Sequence, residues 1–194
     1  MITEKNLLTS ILKLTVRGPV SKELLCRDAR VPSQVTEKAL RKFFDDGLIR
    51  LSEKTIETSL SQRVKIAIKA LELEADFEKV CGFLGWQEFE SIAALAFEAN
   101  NFAVERRFRF TLVNRRWEID VIGCKEPIIV CVDCKHWHYG WGRSAIAKAV
   151  EAQIERTKTL TETLHSTHAM HKRLGLTSWK RGILIPLILS LVPG

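Results

Sequence analysis

Residues 117–135 read WEIDVIGCKEPIIVCVDCK, and the rest of the chain is best understood outward from them. Ile128 to Val132 is an unbroken apolar run, the pattern of a strand covered on both faces. Asp133 ends that run. An ionised carboxylate in such a place is costly unless a cation meets it. Side chains two apart on a strand share a face, so Asp133 and Lys135 point the same way while Cys134 points away. Arg116 to Gly123 reads as a second strand with Asp120 between apolar neighbours, and the short link from Gly123 to Pro127 makes the two strands antiparallel neighbours. Two carboxylates brought together repel unless a hard divalent cation lies between them, and oxygen ligands with retained waters suit Mg²⁺. The pattern therefore predicts a metal site.

Upstream, Glu88 to Asn100 has helical spacing and ends at Asn100-Asn101-Phe102, and Ala103 to Val113 alternates as a strand before an Asn114-Arg115 turn. Downstream lie a helix from Ser144 to Leu164 and an apolar strand from Ile183 to Leu191. The order is helix, strand, strand with Asp120, strand with Asp133-Cys134-Lys135, helix. With Ile119-Asp120 separated from that tripeptide by twelve residues, residues 85–192 resemble the PD-(D/E)XK nuclease superfamily. This restriction-endonuclease-like fold includes archaeal Holliday junction resolvases and Mrr-type restriction enzymes. Ile119 stands where many members have proline.

The resemblance implies an α/β domain with a mixed central sheet over residues 85–194. It also implies Mg²⁺-dependent hydrolysis of DNA phosphodiester bonds, with Mn²⁺ able to substitute. Residue by residue, Asp120 and Asp133 become metal ligands and the Cys134 backbone carbonyl a further one. Lys135 becomes the group that orients or deprotonates the attacking water and offsets charge at phosphorus. Family members often add a glutamate from the first helix, and Glu90 and Glu88 both qualify. Glu90 is preferred because its helical angle lies near Ala94 and Phe97 on the apolar arc. Gln153 is similar to a glutamine that some relatives place near the site.

Residues 1–59 read as three short helices and a hairpin. Leu7, Leu8, Ile11, Leu12 and Leu14 recur at helical spacing, Arg17-Gly18-Pro19 breaks that helix, and Ser21 starts another. After the Val31-Pro32-Ser33 turn a third helix carries Val35, Ala39, Leu40, Phe43 and Phe44 and stops at Asp45-Asp46-Gly47. Leu48 to Leu51 and Thr55 to Thr58 alternate around a tip at Ser52-Glu53-Lys54. The pattern, and KALRKFFDDGLI within it, resembles a winged helix-turn-helix domain. That likeness implies a DNA-facing helix presenting Ser33, Gln34, Thr36, Lys38, Arg41 and Lys42. Residues 60–84 read as a helical connector.

Composition agrees with a polyanion partner. The 194 residues carry 30 Lys and Arg against 23 Asp and Glu, net +7, and 46% are hydrophobic, enough for a conventional core. The excess is uneven, with 15 basic and 8 acidic side chains in residues 103–194 but 4 and 7 in residues 61–102. Arg106, Arg107, Arg109, Arg115 and Arg116 cluster on one predicted hairpin, where phosphate contact is the functional reading. His136 to Arg143, HWHYGWGR, follows the catalytic strand and offers Trp137, Trp141 and Arg143 for stacking and phosphate contact, or merely covers the sheet.

Other classes are set aside. The longest apolar run is too short and interrupted to span a bilayer, and the N-terminus lacks a secretory pattern, so a cytoplasmic protein is expected. Cys131 and Cys134 lie three apart on a strand and cannot share one zinc ion without a turn. No phosphate-cradling glycine loop appears, so ATP is not expected. The expected function is a DNA endonuclease. The alternative is a DNA-binding regulator whose nuclease-like domain is a non-catalytic scaffold. Paired-strand cleavage by single-site subunits needs two copies, and the apolar strand Ile183 to Leu191 must lie inside the sheet or be covered, so a homodimer is expected.

Overall fold

The computed structural model describes residues 2–136 and 142–191, and the chain divides into two compact units, residues 1–88 and 89–192. The protein is mixed α/β. Trp137 and Trp141 lie outside the described residues. No helix among the described residues is long and apolar enough to cross a membrane.

The first unit opens with α1 (Ile2–Leu14), which buries Leu7, Leu8, Ile11 and Leu12 at the predicted helical spacing. β1 (Val20–Ser21) leads into α2 (Lys22–Ala29), whose N-cap Ser21 accepts a hydrogen bond from the Leu24 amide. α3 (Ser33–Asp45) contributes Leu40 and Phe43 to the core. β2 (Arg50–Leu51) and β3 (Thr55–Glu57) form the predicted hairpin, and β1 adds a third strand in the order β1-β3-β2. A two-residue strand leaves no periodicity to read, which is why β1 was invisible in the sequence. The expected connector is two helices, α4 (Leu60–Glu72) and α5 (Phe77–Gly82), and both belong to this unit. Ser59 and Gln62 form a capping box at the start of α4, and Val64, Ile66, Ala67 and Ala70 are its buried stripe.

The division of the chain falls within α6 (Trp86–Ala99). Beyond it come β4 (Ala103–Leu112), β5 (Arg115–Lys125), β6 (Ile128–His136), α7 (Arg143–Ser166), α8 (His168–Arg173) and β7 (Ile183–Leu191). The sheet order is β4-β5-β6-β7, with antiparallel pairing through β6 and parallel pairing of β6 with β7. It is the mixed sheet that the residues imply. One face packs Phe108, Ile119, Ile122, Ile129 and Cys131 with Leu160 and Leu164 of α7. The other packs Val121, Val130, Val132 and Cys134 with Phe89, Ala93 and Ala94 of α6. β6 is thus apolar on both faces because both are covered. Gly123 lets α6 approach closely, since a Cβ there would lie 3.0 Å from Phe97 Cδ1.

Of the two alternatives for Ile183 to Leu191, inside the sheet or covered by a partner, the first is not met: among the described residues β7 is an edge strand. Pro186 fits that position, because an edge has no ladder partner for an amide that proline lacks. Ile183 and Ile185 remain 54% and 39% exposed.

Candidate functional site

The site grows from the point where β5 leaves β6. Their pairing runs from Lys125–Ile128 to Val121–Val132 and stops there, with Asp120 the next residue. Regular alternation also fails at this point. Ile119 and Ile122, three apart, share one core while Val121 lies in the other, and on β4 Val104 and Phe108 are on opposite sides despite even spacing. Between the pairs Arg106–Val121 and Phe108–Ile119 sit Arg107 and Asp120, and Arg107 has φ of 50°, a left-handed conformation uncommon for a residue with a Cβ. Asp120 Oδ2 accepts the Cys134 amide at 2.8 Å, satisfying a backbone donor beyond the paired segment.

Asp133 and Lys135 share a face of β6 as the spacing requires. Lys135 Nζ lies 2.9 Å from Asp133 Oδ2 and donates to Oδ1 at 3.2 Å. The Oδ2 contact is an ion pair without hydrogen-bond geometry, so that buried oxygen has no hydrogen-bond partner. Asp133 is buried, whereas the Lys135 side chain is 34% exposed. A second cation, Arg156 of α7, donates to Asp133 Oδ1 at 2.7 Å. Arg156 also donates to Gln153 Oε1 at 3.2 Å, and the buried Gln153 donates from Nε2 to the Cys131 carbonyl at 2.6 Å. Sequence reasoning singled out Gln153 but missed Arg156. The available signal was spacing: residues three apart on a helix are surface neighbours, so whatever Gln153 approaches, Arg156 approaches too.

Glu90 brings the third carboxylate. It is buried, with Oε2 3.3 Å from Arg107 Nε and Oε1 without a hydrogen-bond partner. Burial, followed by the Asp120 charge, pushes its carboxyl above the ordinary value, against the pull of Arg107. Burial also raises Asp120, and the Asp133 charge adds to this while the Cys134 amide, Lys135 and Arg156 oppose it. Asp120 thus acts on Glu90 and Asp133 acts on Asp120, and the Cys134 thiol lies within electrostatic reach of all three carboxyls. Glu88, the other glutamate considered, binds Arg63 Nε and the Gly85 amide instead. The Cys131 and Cys134 thiols, buried on opposite faces of β6, are each pushed up to about 12 by burial, which makes both poor nucleophiles.

The predicted nucleic-acid contacts have mixed placements. Arg106, Arg107, Arg109 and Arg115 pair with Glu98, Glu90, Glu118 and Glu155, and the Arg115 guanidinium also lies 3.7 Å above the Trp117 ring. Arg116 is exposed, as is Arg143 at the start of α7. On α3, Ser33, Gln34, Lys38, Arg41 and Lys42 are exposed, Lys42 pairing with Glu4 at 3.0 Å. Thr36 is a correction: it is buried and its hydroxyl donates to the Val31 and Pro32 carbonyls, because a threonine one turn into a helix can satisfy itself on the preceding backbone. Of the apolar residues of α3, Val35 and Phe44 are 46% and 51% exposed.

Comparison with family models, curated proteins and solved structures finds no match. Among the described residues no three His, Cys, Asp or Glu side chains form a ready-made metal cage. The donor set at Asp120 and Asp133 nevertheless suits a hard cation. All its donors are oxygen, burial and the Asp133 charge raise Asp120, and Glu90 Oε1 nearby is buried with no hydrogen bond to give up.

Proposed function

We propose that residues 89–192 form a metal-dependent DNA endonuclease of the PD-(D/E)XK type. The observation that carries this reading is the gathering of Glu90, Asp120, Asp133 and Lys135 around Cys134 where β5 and β6 part, with Glu90 raised by burial and the Asp120 charge and Asp120 raised by burial and the Asp133 charge. Asp120, Asp133 and the Cys134 carbonyl would hold Mg²⁺ or Mn²⁺, with Glu90 as a further ligand. When bound, the ion supplies Lewis-acid stabilisation of charge on a phosphoryl oxygen. Lys135 donates a hydrogen bond to that phosphate or to the attacking water, and its partial exposure lets it do so without leaving Asp133. Asp120 orients the Cys134 peptide through its hydrogen bond to the amide, which aims the adjoining backbone at the site.

The first unit acts as a winged helix-turn-helix that aids DNA binding, with Lys38 and Arg41 of α3 on the exposed helix face. Arg116 and Arg143 contact the phosphate backbone. The enzyme works as a homodimer, since one such site cuts one strand and a closed two-fold pair is the commonest way to place two. No ATP is consumed.

The test is cleavage of supercoiled, linear and branched DNA by the purified chain with Mg²⁺, Mn²⁺ or Ca²⁺. Cleavage with the first two and binding alone with Ca²⁺ supports the reading. No cleavage of any DNA form transfers the reading to a DNA-binding regulator with a scaffold domain. That second reading has one observation in its favour, the pairing of Asp133 with both Lys135 and Arg156, which by itself would be a structural ion network.

A further inference from the structure

We infer that Arg156 competes with a divalent cation for Asp133, holding the carboxylate in the metal-free protein and leaving it when the ion binds. The inference rests on the metal-dependent reading above and assigns to a helix residue the control of metal affinity.

It follows from the surroundings of Asp133. Asp133 has both oxygens engaged by cations, Oδ1 by Arg156 at 2.7 Å and by Lys135 at 3.2 Å, and Oδ2 by Lys135 at 2.9 Å. The neighbourhood is already balanced, with Glu90, Asp120, Asp133 and Glu118 facing Arg107, Lys135, Arg156 and Arg109. A doubly charged ion entering with every cation in place would leave excess positive charge in a largely buried setting, which is unfavourable. One cation must therefore withdraw, and Arg156 is built to do so. Its side chain reaches in from a separate element, α7, whereas Lys135, although more exposed, is tied to the same strand as Asp133. It also has a second acceptor in place. Gln153 Oε1 lies 3.2 Å away and is fixed by the Gln153 hydrogen bond to the Cys131 carbonyl, so the guanidinium can leave Asp133 and keep a partner.

The experiment is Mn²⁺ titration calorimetry without DNA on the full chain, comparing wild type, Arg156→Gln, Arg156→Lys and Asp133→Asn. Arg156→Gln should bind Mn²⁺ about tenfold more tightly than wild type, because the competing ion pair is gone. Arg156→Lys, which keeps the charge but loses the planar fork, should fall between them. Asp133→Asn should lose binding. Tightening is a direction that mere structural damage does not produce. A second readout uses the wild type alone: on Mg²⁺ titration the ¹⁵N-labelled Arg156 side-chain resonance, assigned by its loss in Arg156→Lys, should shift as the guanidinium leaves Asp133.

If wild type binds Mn²⁺ and Asp133→Asn does not, yet Arg156→Gln binds no more tightly, the competition is refuted and the metal site stands. An Arg156 resonance unmoved at saturating Mg²⁺ refutes it in the same way, even if Arg156→Gln fails to fold. Absence of Mn²⁺ binding by the folded wild type overturns both the competition and the metal-dependent reading.

Discussion

Glu88 and Glu90 stand two residues apart on α6 and are both buried, yet their surroundings differ in kind. Glu88 is satisfied on both oxygens, by Arg63 Nε and by the Gly85 amide. Arg63 in turn donates to the Leu12 and Phe83 carbonyls and to Thr15 Oγ1, so its charge is fully spent on the fold. Glu90 keeps one oxygen without a hydrogen-bond partner, pairs at 3.3 Å with a partly exposed arginine, and is raised by burial and then by the Asp120 charge. A buried charge that has every partner holds a structure together; one left short of partners beside other carboxyls is poised for a ligand. That contrast gives a physical ground for the preference for Glu90, which its place on the apolar arc alone could not supply, since both glutamates are buried.

The contrast can be broken experimentally, beginning with the largest effect. Asp133→Asn or Lys135→Ala should lower Mg²⁺-dependent cleavage by about a thousandfold or more while circular dichroism and melting show a folded chain. Arg63→Ala should do the reverse, costing about 3–5 kcal/mol in urea denaturation because it strands Glu88, with Mn²⁺ affinity unchanged. If Arg63→Ala leaves stability intact, Glu88 is not the structural member of the pair.

Glu90→Gln should reduce cleavage by about ten- to a hundredfold without a matching loss of stability. Its pH signature follows from the raised carboxyls. Above the ordinary carboxylate value of about 4 the folded, metal-free protein holds more protons on Glu90 and Asp120 than the unfolded chain does. Stability therefore falls as pH rises from that value through the raised ones, and Glu90→Gln should flatten the decline in a melting series. A decline equally steep in the variant would mean that Glu90 titrates normally.

The smallest effect concerns the hairpin. Arg116→Ala should reduce the slope of log binding constant against log salt by about 0.9, the value for one lost phosphate contact. Arg109→Ala should reduce it less, since Glu118 already neutralises Arg109 at 2.6 Å. Equal slopes for the two variants would show that the ion pair opens on binding DNA.

Much of this was legible in residue order. The apolar run Ile128 to Val132 identified a strand covered on both faces, and the two-residue spacing of Asp133 and Lys135 put them together, because strand alternation is a local property. The helix of Glu90 and the antiparallel relation of β5 to β6 were equally local, set by periodicity and by the short link at Gly123 to Pro127. Tertiary structure decided three other matters. The edge position of β7 depends on pairing across the whole α7 crossover, which no local pattern encodes. The orientation of Asp120 depends on a break in alternation opposite Arg107, where backbone conformation overrides the period of two. Arg156 meets Asp133 only because α7 packs on that face of the sheet, and charges 23 residues apart reveal nothing of their partnership until packing brings them within 2.7 Å. Patterns of hydrophobicity determine elements one at a time; which charges share a buried space is fixed by how the elements pack, and that decided the character of this site.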